Sequence, residues 1–423
     1  MFEMEQQTQE KQRRNVRSAY VKGFALGCFV AVFVFLLLFV GSKFYSIYKV
    51  KKQAENNTAE TSQETSVVND STLAKMKSIE DLVEAHYYLG ESSTETLEEG
   101  IFDGMMGSLD DVYSLYYTPE ELKGQLEDNE GTFFGIGAYI SINKENLLPF
   151  ISGIIEGSAA EEAGLRAEDI IYQVDGVDTY EMTLNEVVSM VRGDEGTVVT
   201  LNIIRGEENF DVDVTRKKVT SATVNGEMLE GDIGYIQIVE FADVTVDQFT
   251  EEYAVLKEKG AKALILDMRG NPGGLLTSAI EICRKILPEG LIVYTEDKDG
   301  NRDEYFCDGE REIEIPLVVL VNGGSASAAE IVTGAIKDHG IGTIMGTTTY
   351  GKGIVQKIYS LSDGSAIKLT VSAYYTPNGT NIHETGIEPD IEVLFDADAY
   401  YAEESVDNQL EEAKAYLEKL LGD

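Results

Sequence analysis

The 423-residue chain has no tryptophan, only three cysteines and three histidines, and just 34 lysines and arginines against 75 aspartates and glutamates. Each scarcity excludes something. Cys28 lies within an apolar run, which leaves Cys283 and Cys307; two thiols make no disulfide framework, and whether they pair stays open. His86, His339 and His383 are widely scattered, no metal-ligand spacing exists, and neither a metal nor another cofactor is expected. The shortage of positive charge is uneven. Residues 1 to 52 hold nine Lys and Arg against three Asp and Glu, and subtracting these from 34 and 75 leaves 25 and 72, a balance of −47. Such a surface repels polyanions, so no nucleic-acid partner is expected.

Long hydrophobic runs are scarce too, with one exception. Residues 23 to 42 are 20 uncharged residues between Lys22 and Lys43. As a helix they would be about 30 Å long, the thickness of a bilayer core. The run is longer than a signal-peptide core and no small-residue cleavage site follows, so the expectation is a single transmembrane helix. Five basic residues precede it and four follow by residue 52, so charge alone does not orient it.

The rest is ordinary globular composition, 43% apolar and 26% charged, and long enough for about three domains. Residues 53 to 72, QAENNTAETSQETSVVNDST, read as a solvated tether. Helical spacing then begins with Leu73, Met76, Ile79, Leu82 and Val83 and resumes near Leu97, Ile101 and Met105, predicting a helical unit over 73–130. From residue 131 the pattern becomes short alternating strands and turns, with one helix at 184–192 and a strand at 198–204. Beyond that, GYIQIVEF, AKALILDMRG, LIVYTE, IPLVVLVNGG and IGTIMG alternate with helical stretches at 246–259, 274–287 and 327–338. This predicts β-α-β crossovers and a largely parallel sheet, whose ligand sites form beyond the carboxyl ends of the strands.

Three stretches fall there. In DMRGNPGG, residues 267–274, glycines permit a sharp turn and close backbone approach; the stretch is either a plain strand-to-helix turn or an oxyanion hole built on Gly273 and Gly274. In NGGSASAAEI, Ser327 opens a helix. Ser327 and Glu330 fit a capping box, while the same place suits a nucleophile, with the N–H of Ala328 aimed at an oxyanion. In YGKGIVQ, Lys352 is either a surface-turn lysine or, if buried, an amine of lowered pKa able to take a serine's proton. His339 lies twelve residues along the helix from Ser327, about 18 Å away, and cannot be its partner; His383, in NIHETG, stays open.

The ordered stretches LDDVYSLYYTPEEL, GIGAYI, DMRGNPGG, GSASAAEI, YGKGIVQ and YYTPNGTNIHETGIEPDIEV, spread from about residue 72 to 393, resemble the carboxyl-terminal processing proteases, serine peptidases with a Ser-Lys dyad and an internal PDZ domain. The resemblance implies a crotonase-like α/β protease core with an inserted PDZ domain, an N-terminal helical unit and a single transmembrane helix. It divides the chain into a cytoplasmic tail 1–22, the membrane helix 23–42, a linker 43–72, the helical unit 73–130, a PDZ domain 131–218, the protease core 219–400 and a C-terminal helix 401–423. It further implies Ser327 as nucleophile, Lys352 as base and Gln356 as the residue orienting the lysine. Gly135, Ile136 and Gly137 of the FGIG loop would bind a peptide carboxylate while the peptide adds to a sheet edge. Expected partners are proteins or peptides with exposed C termini, the membrane, and a second copy through the helical unit. The expected location is a bacterial cell membrane, with the catalytic part outside. Ala329 and Val112 depart from the family pattern, which has serine and proline there, and neither touches the dyad. Gln356 raises a difficulty, since four residues of extended strand would separate it from Lys352 by about 13 Å, so a turn or kink must intervene. The alternative function is a non-catalytic PDZ adaptor.

Overall fold

The computed structural model describes residues 66–422 apart from 91, 92, 145, 156, 403 and 404. The chain divides into two units, 1–93 and 94–423. In the first, the helix Asp70–His86 starts where the Asn69 side chain accepts the N–H of Thr72, an N-cap that satisfies an otherwise orphaned donor. The expected helical unit over 73–130 is therefore not one body. Its later helices, Thr94–Gly107 and Pro119–Glu130, belong to the second unit, and between them Leu115–Tyr117 forms a strand paired with residues 366–368.

The fold class needs one further correction. Among the described residues no helix is long and apolar enough to cross a membrane, the longest being the 17 residues of Asp70–His86. The run at 23–42 lies outside the described residues.

Within the second unit, Thr132–Gly135 pairs antiparallel with Lys217–Thr220 in a two-stranded ribbon, and the intervening chain folds on itself. Its antiparallel sheet runs in the order Ala138–Ile142, Pro149–Ile154, Ile170–Val174, Val198–Arg205, Glu208–Thr215. Alternation places Val199, Leu201 and Ile203 inside with Ile136, Ile151, Ile171 and Val187, the last from the helix Leu184–Val191. Ala138–Ile142 is an edge strand, and the helix Leu184–Val191 lies near it.

The core sheet runs Val224–Leu229, Ile233–Ile238, Ala263–Asp267, Leu317–Val321, Thr343–Gly346, Ile391–Glu392, antiparallel at the first pair and parallel thereafter. Its central strands are buried on both faces, as their unbroken apolar runs require. Leu264, Leu266, Val319 and Val321 face the helices Thr245–Glu258, Leu276–Ile286 and Ala328–His339. Ala263, Ile265, Val318 and Leu320 face Ala413 and Leu417 of the helix Asn408–Gly422.

LIVYTE does not join this sheet as a further parallel strand. Gly290–Asp297 belongs to a second, antiparallel sheet with Arg302–Cys307 and Ala366–Tyr375, to which Leu115–Tyr117 and Ile354–Ser360 also pair. The crossover from Ala263–Asp267 to Leu317–Val321 thus carries a helix and a hairpin, and those two strands are direct neighbours. Cys283 and Cys307 are both buried free thiols.

Candidate active site

Two adjacent parallel strands, Ala263–Asp267 and Leu317–Val321, end side by side, and their following loops are tied together. Ser325 Oγ donates to the carbonyl of Met268 at 2.7 Å, Ala326 N–H to the carbonyl of Asn271 at 2.9 Å, and Gly270 N–H to Asn322 Oδ1 at 2.9 Å. Asp267 is held in turn by Arg269, which also pairs with Asp407 beside the C-terminal helix. The loops are thus rigid where they meet.

Ser327 sits where this scaffold enters the helix Ala328–His339, with φ 54° and ψ −113°. A non-glycine residue there is strained, a state that surrounding contacts must enforce. Gly273 permits it: a β-carbon on Gly273 would stand 2.7 Å from that of Ser327, and its φ of 102° suits glycine alone.

Ser327 and Glu330 form a capping box: Glu330 Oε2 accepts the N–H of Ser327 at 2.9 Å, and the N–H of Glu330 faces the Ser327 side chain while bonding the Ser327 carbonyl at 2.9 Å. Among the described residues the Ser327 hydroxyl donates to no group, and Ser327 lines a cavity.

Glu330 does more than cap. Fully buried, it also accepts the hydroxyl of Thr349 at 2.6 Å and the N–H of Gly351 at 2.8 Å on Oε1, and the N–H of Lys352 at 2.9 Å on Oε2. One carboxylate thereby fixes the backbone of both the serine elbow and the lysine loop. Behind that loop lies NIHETG: Glu384 donates to the Gly351 carbonyl, and a β-carbon on Gly353 would strike the backbone of His383.

Ser327, Lys352 and Gln356 line one cavity of about 420 Å³ with Gly274, Ala328 and Lys368. His383 is not among its lining residues, and His339 bonds the Leu291 carbonyl, so neither histidine is brought to the serine. Burial pushes the Lys352 amine below the ordinary lysine value; Lys368 pushes the same way and Asp111 opposes. The Lys352 Nζ stands 4.4 Å from the ring centroid of Tyr113, whose hydroxyl is 3.4 Å from that of Tyr350. Asp111 is fixed by the Ser114 hydroxyl at 2.5 Å, and Ser114 Oγ accepts the N–H of Thr370.

Gln356 lies on Ile354–Ser360 just after an irregularity in its pairing at Val355/Gln356, and Lys352 precedes the strand. Its amide nitrogen donates to Thr370 Oγ1 at 3.1 Å.

The oxyanion expectation is corrected at one position. The Gly273 N–H is already bonded to Asn271 Oδ1 at 2.8 Å, so it has none to offer a ligand. Among the described residues no acceptor pairs with the N–H of Gly274 or Ala328, and both residues line the cavity.

In the FGIG loop, Gly135 pairs with Lys217, Ile136 is buried, and Gly137 turns at φ 76° with Ser158 packed where a side chain would stand. The carbonyls of Ile136 and Gly137 accept from Ala160 and Ile155, and no acceptor among the described residues takes the N–H of either.

Sequence reasoning missed Tyr113, Asp111 and Lys368, and read Glu330 only as a cap. The stretch LDDVYSLYY carried a signal, two acids and three tyrosines in a motif far from the rest, but its contact with Lys352 spans about 240 positions.

Most of the chain is similar to known proteins. Residues 232–393 match Peptidase family S41, 150–205 match a PDZ domain, and 36–121 match the N-terminal domain of the activating protease CtpB. The carboxy-terminal processing protease CtpA of Bacillus subtilis is 37% identical over 337 residues, 79% of this chain and 72% of that one. A carboxyl-terminal-processing protease of Synechocystis is 38% identical over 68% of each chain. A solved photosystem II D1 C-terminal processing protease aligns with 76% of this chain and 88% of its own at 29% identity, with a TM-score of 0.45. The adaptor reading is set aside, and the chain belongs to the carboxyl-terminal processing proteases of peptidase family S41, serine-type peptidases that carry a PDZ domain.

Proposed function

We propose that this protease cuts its protein substrates through an acyl-enzyme formed by Ser327 with Lys352 as the base. The observation that carries the reading is the Ser327 hydroxyl, which donates to no group among the described residues, on a strained elbow and in the same cavity as a lysine whose pKa burial pushes down. As a neutral amine, Lys352 swings from the Tyr113 ring to the Ser327 hydroxyl and accepts its proton as Oγ bonds to the substrate carbonyl carbon. The N–H groups of Gly274 and Ala328 receive the oxyanion. Lys352 then returns the proton to the departing amine. Water, losing a proton to Lys352, releases the acid and restores Ser327. Gln356 orients the amine.

The N–H groups of Ile136 and Gly137, beside the open edge of Ala138–Ile142, support capture of a substrate's terminal carboxylate with strand addition, delivering C termini to the site. The location of the catalytic part outside the cytoplasm rests on the resemblance; an export-dependent reporter fused at the C terminus tests it, and an expressed but inactive reporter counts against it.

The test of mechanism is Ser327→Ala with an unfolded protein as substrate. Cleavage is expected to vanish, along with covalent labelling by a serine-directed fluorophosphonate. Retained turnover would remove Ser327 from the nucleophile's role.

A further inference from the structure

Lys368 is a second cation in the substrate cavity, on the strand Ala366–Tyr375 beside the partner of Gln356. Its Nζ donates to the Tyr117 hydroxyl at 3.1 Å, that hydroxyl donates to Gln125 Oε1 at 2.8 Å, and Gln125 Nε2 donates to Asn129 Oδ1 at 3.2 Å. The relay runs in one direction, so every acceptor in it is filled from the lysine side. An ammonium has three donors and no acceptor, and the relay uses one. Gln125 and Asn129 line the same cavity, and the Asn129 amide nitrogen has no acceptor among the described residues. Lys368 makes no ion pair among the described residues; its contacts are the Tyr117 hydroxyl and the face of that ring at 5.7 Å.

Exposed lysines such as Lys123, Lys217 and Lys262 pair with carboxylates, whereas Lys368, which lines the cavity, does not among the described residues. Here a half-buried cation is held in place by neutral groups, with donors left over, a few side chains from Ser327. A neutral peptide would leave those donors and the charge unmatched, while a carboxylate would satisfy both.

We propose that Lys368, set by Tyr117 and Gln125 and joined by Asn129, anchors a subsite in the substrate cavity for a carboxylate of the peptide. The carboxylate comes from an acidic side chain near the scissile bond or from a free chain end held close to it. Lys368 is thus a specificity determinant, distinct from the FGIG loop. The proposal rests on Ser327 and Lys352 being the reacting pair.

The test compares matched peptides on the full chain. One series is amidated at the C terminus and carries Glu or Gln at each position flanking the scissile bond; the other carries only Gln and ends as acid or amide. Ratios of kcat/KM within each series are measured for wild type, Lys368→Met and Lys368→Arg, so that any general change in activity cancels. Wild type is expected to favour the carboxylate roughly tenfold in one series, the worth of a charge-assisted hydrogen bond. Lys368→Met should bring that ratio near one and Lys368→Arg should restore part of it. Discrimination in the Glu series assigns a side-chain carboxylate, and discrimination in the acid series a chain end. If wild type cleaves normally and neither ratio responds to Lys368→Met, the subsite does not exist. Failure of the Ser-Lys reading would show separately, as cleavage by Ser327→Ala.

Discussion

The Nζ of Lys352 lies over the ring of Tyr113, 4.4 Å from its centroid. Burial favours the neutral amine, whereas the aromatic face favours the ammonium. The proposed base is thus poised between two opposing environments, and the proposed mechanism needs both forms in turn. Removing the ring removes a support of the charged form, so Tyr113→Leu should move the rising limb of kcat/KM to lower pH, by about half to one unit. It should also lower kcat, because the amine loses its resting position. Tyr113→Phe keeps the face and should behave nearly as wild type. A pH profile unchanged in Tyr113→Leu would reduce Tyr113 to a packing residue.

Glu330 tests whether the serine elbow and the lysine loop are one structure. Glu330→Gln keeps size and shape but turns an amide NH₂ toward donors that now meet a carboxylate, either Ser327 and Lys352 or Thr349 and Gly351. A buried group left facing like partners is costly, and a loss of roughly 3 kcal/mol is expected in urea unfolding, with a larger loss in kcat than in KM. Wild-type stability together with wild-type kcat in this variant would show that the two loops hold themselves without it.

What the sequence discloses here depends on the distance over which each feature is made. The run Leu317–Val321 is apolar at every position, so its burial and the glycine turn after it were legible, and with them the placing of Ser327 at a helix mouth. Gly290–Asp297 has the same local look, but its neighbour is Ala366–Tyr375, some 80 positions on, and no local pattern separates that pairing from a parallel one. At Gly273 the donor is taken by a side chain two residues earlier, a geometric choice that glycine content does not encode. The Ser327 elbow likewise has a capping-box sequence, but nothing local in it discloses the strained φ of 54°. The ties from Asp111 and Tyr113 to the lysine are made only once Leu115–Tyr117 has joined the second sheet.

The proposed reacting pair makes the sharpest prediction, through the protonation state of Lys352. Its pKa in the folded protein is lowered, so kcat/KM should rise with pH through a midpoint below the ordinary value of roughly 10.4 and level off above it. The sign for stability follows from the same shift. Between the lowered folded pKa and the ordinary unfolded one, the unfolded chain binds more protons, so this lysine makes the fold more stable as pH rises through that window and less stable below it. Lys352→Met removes that burden and should unfold no more easily than wild type at neutral pH, while losing roughly 10²- to 10⁴-fold in kcat. Lys352→Arg keeps the charge but cannot shed its proton, so it should be as inactive as Lys352→Met. His383→Ala, which alters a residue outside the cavity lining, should leave the pH midpoint where it was. An active Lys352→Arg enzyme, or a midpoint that moves with His383 and not with Lys352, would return the search for the base to the histidines.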